Sequence, residues 1–142
     1  MAYCAQSDIE KKISRETLVQ LTDLENAEIV SASVLAESIS RADAEIDSYL
    51  RVRGEDTPLS DTPSIIAQLS VALTIADLYE NREVMPDTVR DRREWARQWL
   101  KDFAAGKVSI ADDDHTGSDP SQPRVDYTTQ DRVFERDGME QW

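Results

Sequence analysis

Few side chains in this sequence have the type and spacing that catalysis or metal binding requires. His115 is the only histidine, and it directly follows Asp112, Asp113 and Asp114. A histidine ligand is normally oriented by a further hydrogen bond, whereas so polar a stretch is typical of a solvated linker. A calcium loop also fails, because the twelfth position counted from Asp112 is Pro123 and not a glutamate. We therefore predict no metal site.

The single cysteine, Cys4, is equally unpromising as a nucleophile. A cysteine–histidine pair would have to join Cys4 to the distant His115, so we interpret Cys4 as a small apolar residue that packs the N-terminus. The chain contains no glycine-rich phosphate loop and no nucleophile elbow. Carboxylates occur throughout the sequence, so the sequence indicates no particular pair of them as a catalytic acid and base. The sequence predicts neither an enzyme nor a cofactor.

The charge balance narrows the possible partners. The 142 residues carry a net charge of −13, a field that repels nucleic-acid phosphates and anionic membranes. Nine acids and three bases lie in residues 111–142, and the remaining charges leave residues 1–110 acidic as well. One cysteine allows no internal disulfide, which suits a reducing compartment. No signal peptide or membrane-spanning stretch is predicted, so we expect the protein to be made and kept in the cytoplasm until it assembles.

The apolar spacing predicts an all-α bundle of about three main helices preceded by short N-terminal helices. A first helix should start at Ser7, with Glu10 completing a capping box, and a second short one should span 14–21. Residues 22–32 are predicted to form a loop anchored by Ile29 and Val30. This helical domain should occupy residues 1–110.

The three main helices are indicated by their apolar stripes and by the residues at their ends. The helix over 33–53 has apolar residues at spacings of three and four and should end at Gly54. The next should be capped by Thr62 with Pro63 at its first position, and should run to Tyr79. It is apolar nearly all round, which predicts a central position. The last should run from about Pro86 to just before Gly106.

Three charged residues of this body are candidate interface residues. Asp77 lies within the most apolar helix, where it could pair with an arginine at a subunit contact or occupy an exposed edge. Arg93 and Arg97 belong to the only dense basic stretch. They could contact DNA, but the negative field favours pairing with acids on this subunit or the next.

Residues 111–142 are predicted to form an acidic linker followed by a flexible docking tail. Apolar side chains return towards the end of the chain, a pattern typical of segments that order on a partner. Val133, Phe134 and Trp142 are the candidate interface residues of this tail. Phe134 and Trp142 are the expected anchors, because large aromatic side chains dominate interface energetics.

Blocks along nearly the whole chain also carry a family resemblance. The sequence opens with Tyr3-Cys4-Ala5-Gln6-Ser7-Asp8-Ile9, continues with a helix containing Arg41 to Arg51, and closes with Arg132 to Asp137. The order of these blocks resembles a family of small proteins of Mu-like phages and prophages. That resemblance implies an α-helical head-to-tail connector, or head-completion protein.

The same resemblance implies a homo-oligomeric ring, commonly of 12 subunits, that contacts the portal protein and tail-completion proteins within the virion. Genomic DNA would pass through the ring without sequence-specific binding. The rival hypothesis is an acidic DNA mimic that inhibits a basic host protein. Acids clustered along one rigid face would favour the mimic, whereas here they are interleaved with arginine.

Overall fold

The structure, a computed structural model, describes residues 2–110 and contains five α-helices. They are α1 (Gln6–Glu10), α2 (Arg15–Thr22), α3 (Ala32–Val52), α4 (Ser64–Asn81) and α5 (Asp87–Ala104). No strand occurs within these residues, so the predicted all-α class, with three main helices and short N-terminal ones, is confirmed. In the same part of the chain, no helix has the length and apolarity needed to cross a membrane.

Helix α3 buries the face that its apolar spacing predicts. Leu35, Ile46 and Leu50 are almost inaccessible to solvent, and they recur at helical spacing along one side. The helix ends where Gly54 adopts a φ of +80°, a left-handed conformation that glycine adopts without steric cost. The amide of Glu55 then donates to the carbonyl of Leu50 at 3.1 Å, which satisfies one of the free carbonyls at this end.

Helix α4 is the centre of the molecule and contributes to both apolar clusters. The first cluster joins α3, α4 and α5 around Ile46, Leu69 and Leu100. The second joins α1, α2, α3 and α4, and includes Ile9 and Leu78. Because it has partners on all sides, α4 is buried nearly all round, as its sequence predicts.

Helix α5 closes the first cluster with Ala96, Leu100 and Phe103. It ends at Ala104, and Gly106, which follows two residues later, has a φ of +79°. The guanidinium of Arg53 lies 5.6 Å from the centre of the Phe103 ring, within the range of a cation–π contact. Val108 and Ile110 pack against the same cluster.

Several predicted boundaries are wrong in detail. Helix α1 begins at Gln6, and Asp8 rather than Glu10 accepts the flanking amide, that of Ala5, at 3.0 Å. Pro63 precedes α4 and does not form its first turn. Ile29 does not anchor its loop, because it is 64% exposed, whereas Val30 packs against the second cluster as predicted.

Candidate functional site

The three charged residues singled out from the sequence within residues 2–110 lie together. Asp77, Arg93 and Arg97 line one small cleft of about 50 Å³ where α3, α4 and α5 meet. We call this cleft and its charged side chains the charged seam. Its charged members are Arg41, Glu45, Asp77, Glu80, Arg93 and Arg97.

The strongest contact of the charged seam joins α5 to α3. Arg97 donates through Nε to Oε1 of Glu45 at 2.7 Å and through Nη2 to Oε2 at 3.2 Å. Two parallel bonds between a guanidinium and a carboxylate combine charge with a fixed geometry. This hydrogen bonding to Glu45 raises the pKa of Arg97 above its usual value, against the opposing effect of burial.

The other two arginines connect the seam to α4. Arg93 donates to Glu80 at 3.2 Å, and the Nε atom of Arg93 is buried without a hydrogen-bond partner among residues 2–110. Arg41 lies 3.4 Å from Asp77 and also pairs with Glu37 one helical turn away. Asp77 is therefore paired with an arginine of its own subunit.

The observed pairings agree with ion pairing inside this chain. The arginines at positions 41, 93 and 97 each contact a carboxylate within this chain. A carboxylate beside a guanidinium offsets its positive charge, so the pair attracts a phosphate less strongly than a free arginine does. The seam can hold three helices together and present alternating charges at the surface, but it offers DNA no row of free cations.

A second polar cluster is buried at the N-terminus, and the sequence reasoning did not single it out. The carboxylate of Asp43 on α3 accepts the backbone amide of Tyr3 at 3.0 Å and the hydroxyl of Ser70 at 2.7 Å. Burial raises the pKa of Asp43, although both hydrogen bonds act in the opposite direction. A signal existed, because Asp43 occupies the same stripe of α3 as Ile39, Ile46 and Leu50.

The neighbours of Asp43 complete this cluster, which we call the N-terminal latch. The hydroxyl of Ser70 also lies 3.2 Å from the sulfur of Cys4, and the Tyr3 hydroxyl hydrogen-bonds to Asp47 and to the amide of Leu59. The latch consists of Tyr3, Cys4, Asp43, Asp47, Leu59 and Ser70. It ties the first residues of the chain to α3, α4 and the loop between them.

The surroundings of Cys4 and Tyr3 in the latch favour the protonated, uncharged forms of these two side chains over their ionised forms. Burial raises the pKa of the Cys4 thiol, against hydrogen bonds from Ser70 and Thr74 that lower it. Burial and the hydrogen bond to Asp47 raise the pKa of Tyr3 to about 12. The thiolate is the nucleophilic form of cysteine, so the latch suits packing, as predicted for Cys4. Between residues 2 and 110, no cluster of three or more metal-ligating side chains is present.

Sequence comparison adds the remaining observation. A family model described as bacteriophage Mu, Gp36 matches residues 3–128. This chain belongs to the bacteriophage Mu Gp36 family. The match begins at Tyr3 of the latch, includes all five helices and continues beyond the described residues. No curated protein matches the chain.

Membership of the Gp36 family confirms the resemblance to Mu-like phage proteins. The remaining interface candidates of this Gp36 protein, Val133, Phe134 and Trp142, lie outside the described residues, as does His115. Their roles, and the division of the chain at residue 110, stay predictions. The structure does place Asp77, Arg93 and Arg97 in one seam, where they hold the subunit's own helices.

Proposed function

We propose that this Gp36 protein is a structural virion protein that joins the phage head to the tail as a connector subunit. The observation that carries the proposal is the family match over residues 3–128, which spans the whole helical body. The paired charges of the seam and the closed latch support a scaffold role, because both fix helices relative to one another. We propose no enzymatic activity and no cofactor.

In this proposal, the helical body forms the wall of a homo-oligomeric ring, for which 12 copies is the expected number. Residues 1–110 hold 20 acids and 13 bases, and this excess of acids gives the ring a negative lumen. Such a surface repels DNA phosphates, so the genome slides through without adhering. The alternating charges of the seam could meet a neighbouring copy by exchanging ion-pair partners at the rim.

The C-terminal segment supplies the second set of contacts. Residues 111–142 would extend from the body to the portal protein or a tail-completion protein, with Phe134 and Trp142 as the apolar anchors. The protein would enter the virion after synthesis in the host cytoplasm.

Association with the portal tests this proposal. Sedimentation of the full chain with and without the purified portal of the same phage should show a complex, and electron microscopy should show a ring at one end of the portal. The mass of the complex gives the number of copies. A Phe134→Asp variant should bind the portal less well than a Gln122→Asp variant, which adds the same charge in the linker, away from both anchors. Absence of association at high concentrations of both proteins would contradict the proposal.

The DNA-mimic hypothesis predicts different partners. Three seam carboxylates, Glu45, Asp77 and Glu80, are each paired with an arginine, which lowers the density of free negative charge on that face. Capture from an infected-cell lysate separates the two hypotheses. Virion proteins among the captured partners support the connector, whereas a host nuclease or repressor would support the mimic.

A further inference from the structure

An apolar groove crosses α4 on the side bounded by α5 and by the end of α1. It consists of two adjoining compartments of about 270 and 230 Å³. Both compartments share Lys12, Ala72, Ile75 and Arg92. We call them together the α4 groove. Its other lining residues include Ile13, Val71, Tyr79, Val89 and Trp95.

The α4 groove combines an apolar floor with a basic rim. Trp95 leaves 47% of its surface exposed, so it adds accessible aromatic surface to the groove. Lys12 and Arg92 stand at the rim, and neither forms an ion pair with any residue between positions 2 and 110. On a strongly acidic protein, this surface fits an apolar ligand that carries negative charge.

We propose that the α4 groove binds residues 125–135 of the same chain in the unassembled subunit. This segment places Val125, Tyr127, Val133 and Phe134 among three acids, Asp126, Asp131 and Glu135, and one base, Arg132, so three acids minus one base leave it a net charge of −2. The four apolar side chains match the floor, and the acids match the cations of the rim. Residues 111–119 hold acids but no aromatic or large aliphatic side chain, so they match the rim alone.

The intervening chain is long enough for this contact. The described chain ends at Ile110, six residues beyond the C-terminus of α5, whereas the groove lies beside the N-terminal half of that helix. Helix α5 has 18 residues and is therefore about 27 Å long. Residues 111–124 span up to about 46–50 Å when extended. A tether of this length keeps the segment at roughly millimolar effective concentration, so binding within one copy wins in dilute solution.

Binding of residues 125–135 in the α4 groove does not depend on the connector role. In a connector, this binding would precede assembly. The groove would hold the segment until a portal or neighbouring subunit offers a better site. A subunit that fails to bind the portal could still occupy its own groove, so the two proposals fail separately.

Disulfide trapping in the full chain tests the contact. Thr88 lines the groove and is exposed, so a chain with Thr88→Cys and Thr129→Cys should form an intramolecular disulfide under mild oxidation. The matched control joins Ser60→Cys to Thr129→Cys, because Ser60 is exposed, lies outside the groove and follows Leu59, which packs against the same cluster as Ile110. Random encounters should give similar rates at the two sites, whereas binding in the groove should favour the Thr88 pair by about tenfold in rate. The single-cysteine variants account for the background from Cys4.

Two further variants test whether trapping at Thr88 depends on the apolar side chain of Phe134. Phe134→Asp should reduce trapping at Thr88 to the level of the Ser60 control and should shift the NMR signal of the Trp95 indole N–H. Gln141→Asp, which adds the same charge outside the segment, should change neither. Equal trapping at the two sites, a covalent dimer in place of the monomer, or a Trp95 signal indifferent to Phe134→Asp would overturn the proposal.

Discussion

Arg97 and Glu45 form a two-point ion pair that links α5 to α3, with donor–acceptor distances of 2.7 and 3.2 Å. The side chains are 42% and 29% exposed, so solvent screens much of their attraction. We expect a double-mutant cycle with Arg97→Ala and Glu45→Ala to give a coupling of about 0.5–1 kcal/mol in urea unfolding. Arg97→Lys should lose part of this coupling, because lysine lacks the planar fork.

The control for that cycle is the pair between Arg90 and Asp87, which lies within one turn of α5 and is exposed on both sides. Its coupling should be no more than about 0.5 kcal/mol. Equal couplings for the two pairs would show that the Arg97 contact adds nothing beyond an ordinary surface ion pair.

Asp43→Ala should open the N-terminal latch. The change leaves the amide of Tyr3 and the hydroxyl of Ser70 without their acceptor, and a loss of about 1–3 kcal/mol in unfolding free energy follows. Cys4 should then react faster with a thiol reagent, by about tenfold for each 1.4 kcal/mol by which opening becomes easier. Asp43→Asn keeps one carbonyl acceptor and should lose less unfolding free energy. Asp91→Ala, at an exposed position of α5, should change neither the unfolding free energy nor the reactivity of Cys4. Unaltered protection of Cys4 in Asp43→Ala would argue against the latch.

The Tyr3 phenol should make the protein less stable at high pH. Its pKa is about 12 in the folded chain, whereas a free tyrosine has a pKa of about 10. Between these values the unfolded chain releases the phenolic proton and the folded chain retains it, so the free energy of unfolding falls as pH rises through this window. Absorbance at 295 nm should show a late ionisation that Tyr3→Phe removes. The same late step persisting in Tyr3→Phe would assign it to another tyrosine.

The two glycines that end α3 and α5 should differ in their tolerance of alanine. Both have a φ near +80°, so each substitution costs about 1–2 kcal/mol in backbone strain. At Gly54 an added Cβ meets nothing within 4 Å, whereas at Gly106 it would lie 2.6 Å from Nη1 of Arg53. Arg53 must then leave its position over Phe103, at a further cost of about 0.5–1 kcal/mol.

Thermal or urea unfolding of both glycine variants measures this difference. In an Arg53→Ala background the two substitutions should cost the same, because the crowded side chain is gone. A persistent difference in that background would place its origin in the backbone rather than in Arg53.

The parts of the fold that the sequence predicted are those where one periodic pattern dominates. Helices α3 and α4 follow their apolar residues, and Gly54 marks an end because its conformation suits glycine. The predicted start of α1 was wrong because two acids, Asp8 and Glu10, lie close to it in the sequence. Only the folded backbone shows that Asp8, and not Glu10, accepts the flanking amide. Ile29 failed as an anchor because a loop offers no periodicity from which to predict burial.

The candidate site was also predictable only in part from the sequence. Asp77, Arg93 and Arg97 stood out as charges at unusual places, and the structure brings them together. Their actual partners, Arg41, Glu80 and Glu45, could not be chosen from the sequence, because pairing across helices depends on how the helices rotate against each other. The latch was missed because Ser70 and Cys4 meet across 66 positions, a separation that no local pattern encodes.

The central place of α4 also governs the order in which the nascent chain can fold on the ribosome. Helices α1 and α2 bury their apolar residues in a cluster completed by Val71, Ile75 and Leu78. Short helices in water are only marginally stable alone, so α1 and α2 gain lasting structure only after α4 has been translated. During synthesis these two helices must wait for a partner that is separated from them by the whole of α3.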